Sequence, residues 1–286
     1  MPATLSPAAV ALIREPVLAH VVTLMADGSP QVTPVWADTD GEHLLINTAR
    51  GRLKERNLAR DPRVAASVLG FASGTRGVQL RGRVEEMTTE GADEHVAFLT
   101  RKYEGKDNYD HAAVGKERVL VRIAPERVRE VGMREGAGQP PQATTPRPSG
   151  LAAQVKGSAL TPEMAAYLRE NVFAHLATLM PDGSPQVTPI WVGTDGRRVL
   201  MNCSIGAQKQ RNVHRDPRVA LSIMGLDDPW RCLWLMGRAE EVSEGAEQLI
   251  DDFSLKYNGQ ARYPRKPGMV RVTLAVTPQK VTGRRL

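Results

Sequence analysis

Four cations crowd into Arg50-Gly51-Arg52-Leu53-Lys54-Glu55-Arg56, where a strand-like segment, Asn47-Thr48-Ala49, gives way to a helical one. A helix N-terminus already carries free N–H groups and the positive end of the helix dipole. Cations near it therefore cost roughly 0.3–1 kcal/mol each. A bound anion reverses that cost, because backbone N–H groups and basic side chains then face the same negative charge. The chemistry these residues predict is a grip on a phosphate-like tail. The bland alternative is a solvated basic face, which is what most charge runs are. Gly51 and the strand-to-helix junction tilt the reading toward a ligand.

Other candidates carry less. Trp36 lies one strand and one turn before the basic run and could stack on a ligand ring or sit in a core. His20 and His175 read as structural histidines near strand starts rather than as proton donors. Tyr103 and Tyr257 read as helix-packing residues. Ser29 and Ser184 sit in turns with no Ser-His-Asp context, so serine hydrolysis is not expected. No Walker or GxGxxG motif points to a nucleotide fold, and the two cysteines, Cys203 and Cys232, lack zinc spacing. A disulfide between them is open; reduced core thiols fit better.

These residues must be positioned by a repeated unit. A shift of 155 residues aligns Ala19–Gly70 with Ala174–Gly225, identical at 31 of 52 positions. The densest block is Asp27-Gly28-Ser29-Pro30-Gln31-Val32-Thr33-Pro34, which recurs as Asp182-Gly183-Ser184-Pro185-Gln186-Val187-Thr188-Pro189. Gly82-Arg83 and Gly237-Arg238 match as well, and Ser6-Pro7 and Thr161-Pro162 both read as an N-cap followed by a first-turn proline. The expected domains are 1–133 and 159–286, joined by a Gly/Pro-rich linker over 134–158.

Each copy reads alike. A short helix precedes strands over 19–25, 31–37 and 43–48, with turn signals at Asp27-Gly28 and Asp40-Gly41. A helix over 51–60 stops at Asp61-Pro62. Strands over 64–69 and 78–86, a helix over 89–103 and a strand over 118–123 follow. The fold class is mainly β (α+β): two tandem small barrels with edge helices. A duplicated domain suggests a fused homodimer, an intramolecular pseudo-dimer whose copies are free to diverge. They have diverged at the basic run, where Ile205 and Ala207 replace Arg50 and Arg52. The second copy instead carries Trp230 and Arg231 in one loop and Lys266 in another, which could serve as an aromatic and basic lid.

Bulk properties bound the partners. The net charge is +6, with 41% hydrophobic, 24% charged and 5% aromatic residues. That suits a polyanionic small molecule better than nucleic acid, which would favour more aromatics and a recognisable binding motif. No apolar run is long enough to span a membrane, and the N-terminus lacks a basic-then-apolar pattern, so a cytoplasmic protein is expected.

The strand pair over 174–191, the Asn47-to-Asn57 loop and helix, and Arg60-Asp61-Pro62-Arg63-Val64-Ala65 resemble the pyridoxamine 5′-phosphate oxidase-like split-barrel superfamily. Within it, the chain is most similar to the flavin/deazaflavin oxidoreductases that use coenzyme F420. The resemblance implies a split barrel, with Thr33, Pro34, Val35 and Trp36 lining the cofactor ring. It implies polar edges from Asn47, Thr48 and Ala49 and a phosphate held by Arg52, Lys54 and Arg56, with Arg50 alongside. It further implies hydride transfer from reduced deazaflavin to an activated alkene, imine or quinone-like acceptor. The alternatives are FMN as the cofactor, or a non-catalytic flavin-binding protein. The tandem arrangement departs from the usual single-domain member, and Ile205 and Ala207 weaken the second site.

Overall fold

The computed structural model describes residues 3–70, 76–107, 109, 117–132, 154–225, 228 and 231–286. The chain divides into two compact units with the main boundary at 148/149; residues 29–32 group with the second unit and 185–187 with the first. Both are mainly β.

The N-terminal unit runs α1 (Pro7–Arg14), β1 (Ala19–Leu24), β2 (Pro30–Val35), β3 (Ala37–Thr39), β4 (Leu44–Ala49) and α2 (Leu53–Arg60). It continues through β5 (Arg63–Gly70), β6 (Arg76–Thr88), α3 (Ala92–Glu104) and β7 (Arg118–Val131). The sheet order is β2-β1-β5-β6-β7-β4-β3, so the two end strands are consecutive in sequence with only Trp36 between them. Val21, Val35, Ile46, Val64, Val68, Val121 and Ile123 fill the interior, and Leu12 and Ile13 of α1 pack against it.

The C-terminal unit repeats this. It comprises β8 (Gln154–Gly157), α4 (Pro162–Arg169), β9 (Val172–Leu179), β10 (Pro185–Thr194), β11 (Val199–Ser204) and α5 (Gln208–Arg215). Then come β12 (Arg218–Gly225), β13 (Cys232–Val242), α6 (Ala246–Asn258) and β14 (Arg271–Arg284). Its order is β11-β10-β9-β12-β13-β14, and β14 pairs back onto β11 to close a six-strand barrel. β8 adds to β14 outside that ring, so residues 154–157 of the expected linker are a strand.

Local chemistry explains the elements. Ser6 and Thr161 accept from the N–H groups of Ala9 and Met164, and each is followed by proline, so both first helices start as the sequence suggests. Gly28 and Gly183 take the positive φ that the Asp-Gly turns need. Asn57 donates to Thr23 Oγ1 at 2.9 Å, Arg60 reaches the Leu24 carbonyl, and Asp61 forks onto Arg63. The Arg60-Asp61-Pro62-Arg63 motif is therefore a brace that ties α2 to β1, and Asn212, Arg215, Asp216 and Arg218 repeat it.

Three expected boundaries move. The strand expected over 31–37 breaks at Trp36, although its counterpart β10 runs through Trp191. The helix expected from Gly51 starts at Leu53, because Gly51 holds φ +75°. The last strand is far longer than 118–123, reaching Val131 with a register shift between Arg81 and Gly82. That shift brings the sheet backbone against Gly82: a Cβ there would lie 2.1 Å from the Ala124 carbonyl oxygen, and at Gly237 it would lie 2.2 Å from that of Thr277. The repeated Gly-Arg pair is thus a backbone requirement. Gly82→Ala is expected to destabilise the protein by about 3 kcal/mol, because rigid backbone must move. Urea unfolding of that variant beside Gly77→Ala, whose Cβ would meet the Leu69 side chain at 3.2 Å, checks this. Equal losses would count against it.

Candidate functional site

The basic run forms a corner where β4 turns into α2. Arg52 is the N-cap residue, its backbone extended, and no side chain caps the helix. Glu55, in the first turn, reaches back to accept from the Gly51 N–H at 3.0 Å. Gln210 does the same for Gly206 in the second copy. The corner backbone is therefore the same in both copies, with N-cap φ, ψ of −71°, 152° at Arg52 and −66°, 148° at Ala207.

The side chains then sort into two groups. Arg50 bonds Glu117 at 3.0 Å and lies 3.5 Å from Glu55. Arg56 folds back onto the Gly51 carbonyl at 2.6 Å, as Arg211 does onto Gly206. These two guanidiniums brace the loop. Ile205 and Gln210 replace Arg50 and Glu55 together, and Val270 takes the place of Glu117, since Arg50 N–H bonds the Glu117 carbonyl as Ile205 N–H bonds that of Val270. The loss of Arg50 in the second copy is thus one member of a lost ion-pair set.

Arg52 and Lys54 form the other group. Neither has an ion-pair or hydrogen-bond partner among the described residues. Lys54 is half-buried. Burial, with Arg52 and Arg118 alongside, pulls its ammonium down to about 8. Asn47 and Thr48, on β4, are buried beside the corner. Asn47 Nδ2 donates to the Ala92 carbonyl at the start of α3, and its Oδ1 accepts from Arg118 Nε, both at 2.7 Å. Thr48 Oγ1 is buried with no partner, as is Thr33 Oγ1 on β2. Ala49 is fully buried and offers only backbone.

Arg118 and Tyr109 were not read from the sequence. Arg118 pairs with Ala49 across the β4–β7 ladder, and its guanidinium lies 5.2 Å from the Tyr109 ring centre. Arg271 and Tyr263 repeat this pairing opposite Ser204, at 4.5 Å. The offset there is 153 residues for the arginines and 154 for the tyrosines rather than 155, so a gapless alignment passes over the match.

Trp36 stacks on Tyr103, with centroids 5.3 Å apart and planes 7° from parallel, and Trp191 stacks on Tyr257 at 5.1 Å and 5°. One face of each indole is therefore covered. The tyrosine hydroxyls bond Val17 and Ala37, or Val172 and Val192, and the neighbouring Lys102 and Lys256 donate to carbonyls of the same strands and first helices. The pairing of these tyrosines clamps α3 and α6 to the sheet. His20 and His175 are buried.

Arg231 forks onto Glu170 at 2.5 and 2.7 Å, over the Tyr167 ring. Arg76 and Glu15 form the same pair in the first copy at 3.0 Å, so this arginine is retained by both copies. Lys266 is exposed. Trp230 lies outside the described residues. Cys203 and Cys232 are buried free thiols. Among the described residues there is no metal-binding cluster and no helix long and apolar enough to cross a membrane.

A sequence profile for pyridoxamine 5′-phosphate oxidase matches residues 5–132 and again 160–284. The chain belongs to that family. It carries the family's domain twice, and members of the family are mostly oxidoreductases whose fold binds flavin-type cofactors. Among solved structures, an F420 reductase is 29% identical over 43% of this chain and 98% of its own, with a TM-score of 0.39. A conserved hypothetical protein from Mycobacterium tuberculosis is 26% identical over 45% of this chain and 86% of its own, TM-score 0.38. HupZ of Group A Streptococcus is 21% identical over 44% and 99%, TM-score 0.35.

The corner suits the phosphate end of such a cofactor. Among the described residues, Lys54 and Arg52 are cations without a counter-charge, and Thr33 and Thr48 present buried hydroxyls without partners. Buried polar groups left unpaired usually have a reason.

Proposed function

We propose that the protein is an oxidoreductase that binds coenzyme F420 at the N-terminal corner and reduces a small organic acceptor: an activated alkene, an imine or a quinone-like molecule. The observation that carries this is the uncompensated charge of Lys54 beside Arg52, which an anionic tail would complete. Arg52 and Lys54 would hold the phosphate, with Arg50 and Arg56 shaping the loop. Thr33, Pro34, Val35 and Trp36 on and beside β2 would line the ring, and Asn47, Thr48 and Ala49 on β4 would meet its polar edge. The deazaflavin supplies the hydride; the chain supplies binding and orientation. The resemblance of the strand pair and loop-helix motif favours the deazaflavin.

FMN is the second reading, favoured by the family's use of flavin-type cofactors. The tandem duplication supports one chain doing the work of a two-subunit dimer. The free thiols fit a reducing, cytoplasmic setting.

Purified protein titrated with F420 and with FMN tests the choice. Enhanced polarisation of F420 fluorescence at micromolar protein, with FMN weaker by about tenfold or more, is expected. Tighter FMN binding reverses the cofactor assignment. Binding without oxidation of reduced F420 across a panel of enones, imines and quinones would leave a carrier rather than an enzyme.

A further inference from the structure

We propose that Arg118 is a third ligand-binding cation of the N-terminal corner, that Asn47 is the residue that positions it, and that the two copies differ in function because this aim is kept in one and lost in the other. This rests on the reading that the corner holds an anion.

Arg118 is only 7% exposed, and the groups that hold it are neutral. Its Nε donates to Asn47 Oδ1 at 2.7 Å and its Nη1 to the Tyr109 hydroxyl at 3.2 Å. Among the described residues no carboxylate lies within ion-pair distance, and Asp93 acts on it only through space. A buried guanidinium without a counter-ion is costly, and the usual remedies are a carboxylate or a bound anion. Here Lys54 and Arg52 add charge of the same sign, and Asp93 opposes them from beyond ion-pair distance. Three cations converge, while the nearby Glu55 carboxylate is taken up by the Gly51 N–H and Arg50. A phosphate dianion is the chemistry that completes the set, and a planar guanidinium suits its oxygens.

Asn47 explains the aim. Its Nδ2 is committed to the Ala92 carbonyl, which can only accept, so its Oδ1 must face Arg118. An asparagine orients the guanidinium without neutralising it, which an aspartate would not. The second copy is the internal control. Asn202 keeps the equivalent bond to the Ala246 carbonyl at 2.7 Å, yet its Oδ1 is buried without a partner. Arg271, in the register position of Arg118, lies over Tyr263 and makes no bond to that oxygen. With Ala207 in place of Arg52, that corner has lost two of the three contributions.

A proton linkage follows. Lys54 must be charged to contribute, so phosphate affinity should fall as pH rises through about 8, by up to about tenfold per unit above it.

The test uses the full-length protein with inorganic phosphate and FMN as probes, read by calorimetry at pH 7, and lysine side-chain NMR to follow Lys54. Arg118→Gln is expected to weaken both probes on the order of tenfold or more and to move the Lys54 midpoint upward, since a neighbouring cation is gone. Asn47→Asp should do the same by neutralising Arg118, while Arg118→Lys, which keeps the charge but not the fork, should lose less affinity than Arg118→Gln and leave Lys54 low. Loss of binding in Lys54→Ala with none in Arg118→Gln or Asn47→Asp would overturn the role of Arg118 and leave the corner reading intact. If wild-type protein takes up neither probe at millimolar concentration, the corner reading fails first.

Discussion

Lys54→Ala is expected to weaken binding of a phosphate-bearing flavin or deazaflavin by roughly 10- to 100-fold, and Lys209→Ala by less than about threefold. The two lysines occupy the same position on α2 and α5 and start from the same backbone corner. Their surroundings differ. Lys54 is flanked by Arg52 and Arg118, without a partner, and is held near 8 by burial and like charge. Lys209 stands two residues after Ala207, where the first copy has Arg52. An anion therefore gains three converging charges at one corner and fewer at the other. Fluorescence or calorimetric titration of the two variants, with wild-type protein as reference, decides it. Equal losses would mean two working corners and end the asymmetry.

Acidification from pH 8 to pH 5 is expected to cost about 4 kcal/mol of stability through two histidines, His175 and His95, at about 2 kcal/mol each. Burial drives the His175 pKa down to about 3. Burial likewise drives His95 down to about 4, with Lys102, Arg122 and Arg118 adding to the effect and Asp38 opposing it. Both ring nitrogens of His95 are buried without a partner among the described residues. A histidine that charges near 6.5 when unfolded but resists charging when folded gives stability that is present above about 6.5. That stability is lost as pH falls toward the folded value. His43 works the other way, since Asp40 and Glu85 raise its pKa, but that pair lies at the surface and contributes little. The paired aspartates, Asp61, Asp216 and Asp251, are depressed and matter only below about pH 4. His95→Leu is the informative variant, because α6 carries Leu249 at the matching turn and so shows that the framework accepts it. Urea unfolding at pH 8 and pH 5 should show the gap between the two shrink by about 2 kcal/mol in that variant. An unchanged gap would refute the assignment to His95.

Much of the architecture was legible because it depends on short-range rules. The Ser6-Pro7 and Thr161-Pro162 caps, the Asp-Gly turns and the short apolar strand segments between them act within a few residues, and they recur in both copies. The break at Trp36 was not legible. The same Thr-Pro-hydrophobic-Trp string forms a continuous strand in β10, so the difference arises from neighbours rather than from the string. Nor was the length of β7, whose second half is held by β6 across the shift at Gly82.

The candidate site divides the same way. Sequence placed Arg50, Arg52, Lys54 and Arg56 in one group because they are close in the chain. Packing separated them: Arg50 and Arg56, at the surface, bond neighbouring carboxylates and the Gly51 carbonyl, while Arg52 and Lys54 remain uncompensated. Arg231, expected in a lid by its loop, also forms an ion pair with Glu170 that Arg76 and Glu15 duplicate.

The sequence by itself determined that two copies of one β-rich unit exist, where their turns and caps fall, and that the first copy concentrates positive charge at a strand-to-helix junction. Only the tertiary structure decided which of those charges have partners and that Arg118, some sixty residues further along, joins them. The physical reason is that propensity and turn chemistry act locally, whereas the pairing of a charge depends on the elements a ladder brings beside it, and β4 meets β7 only in the folded sheet.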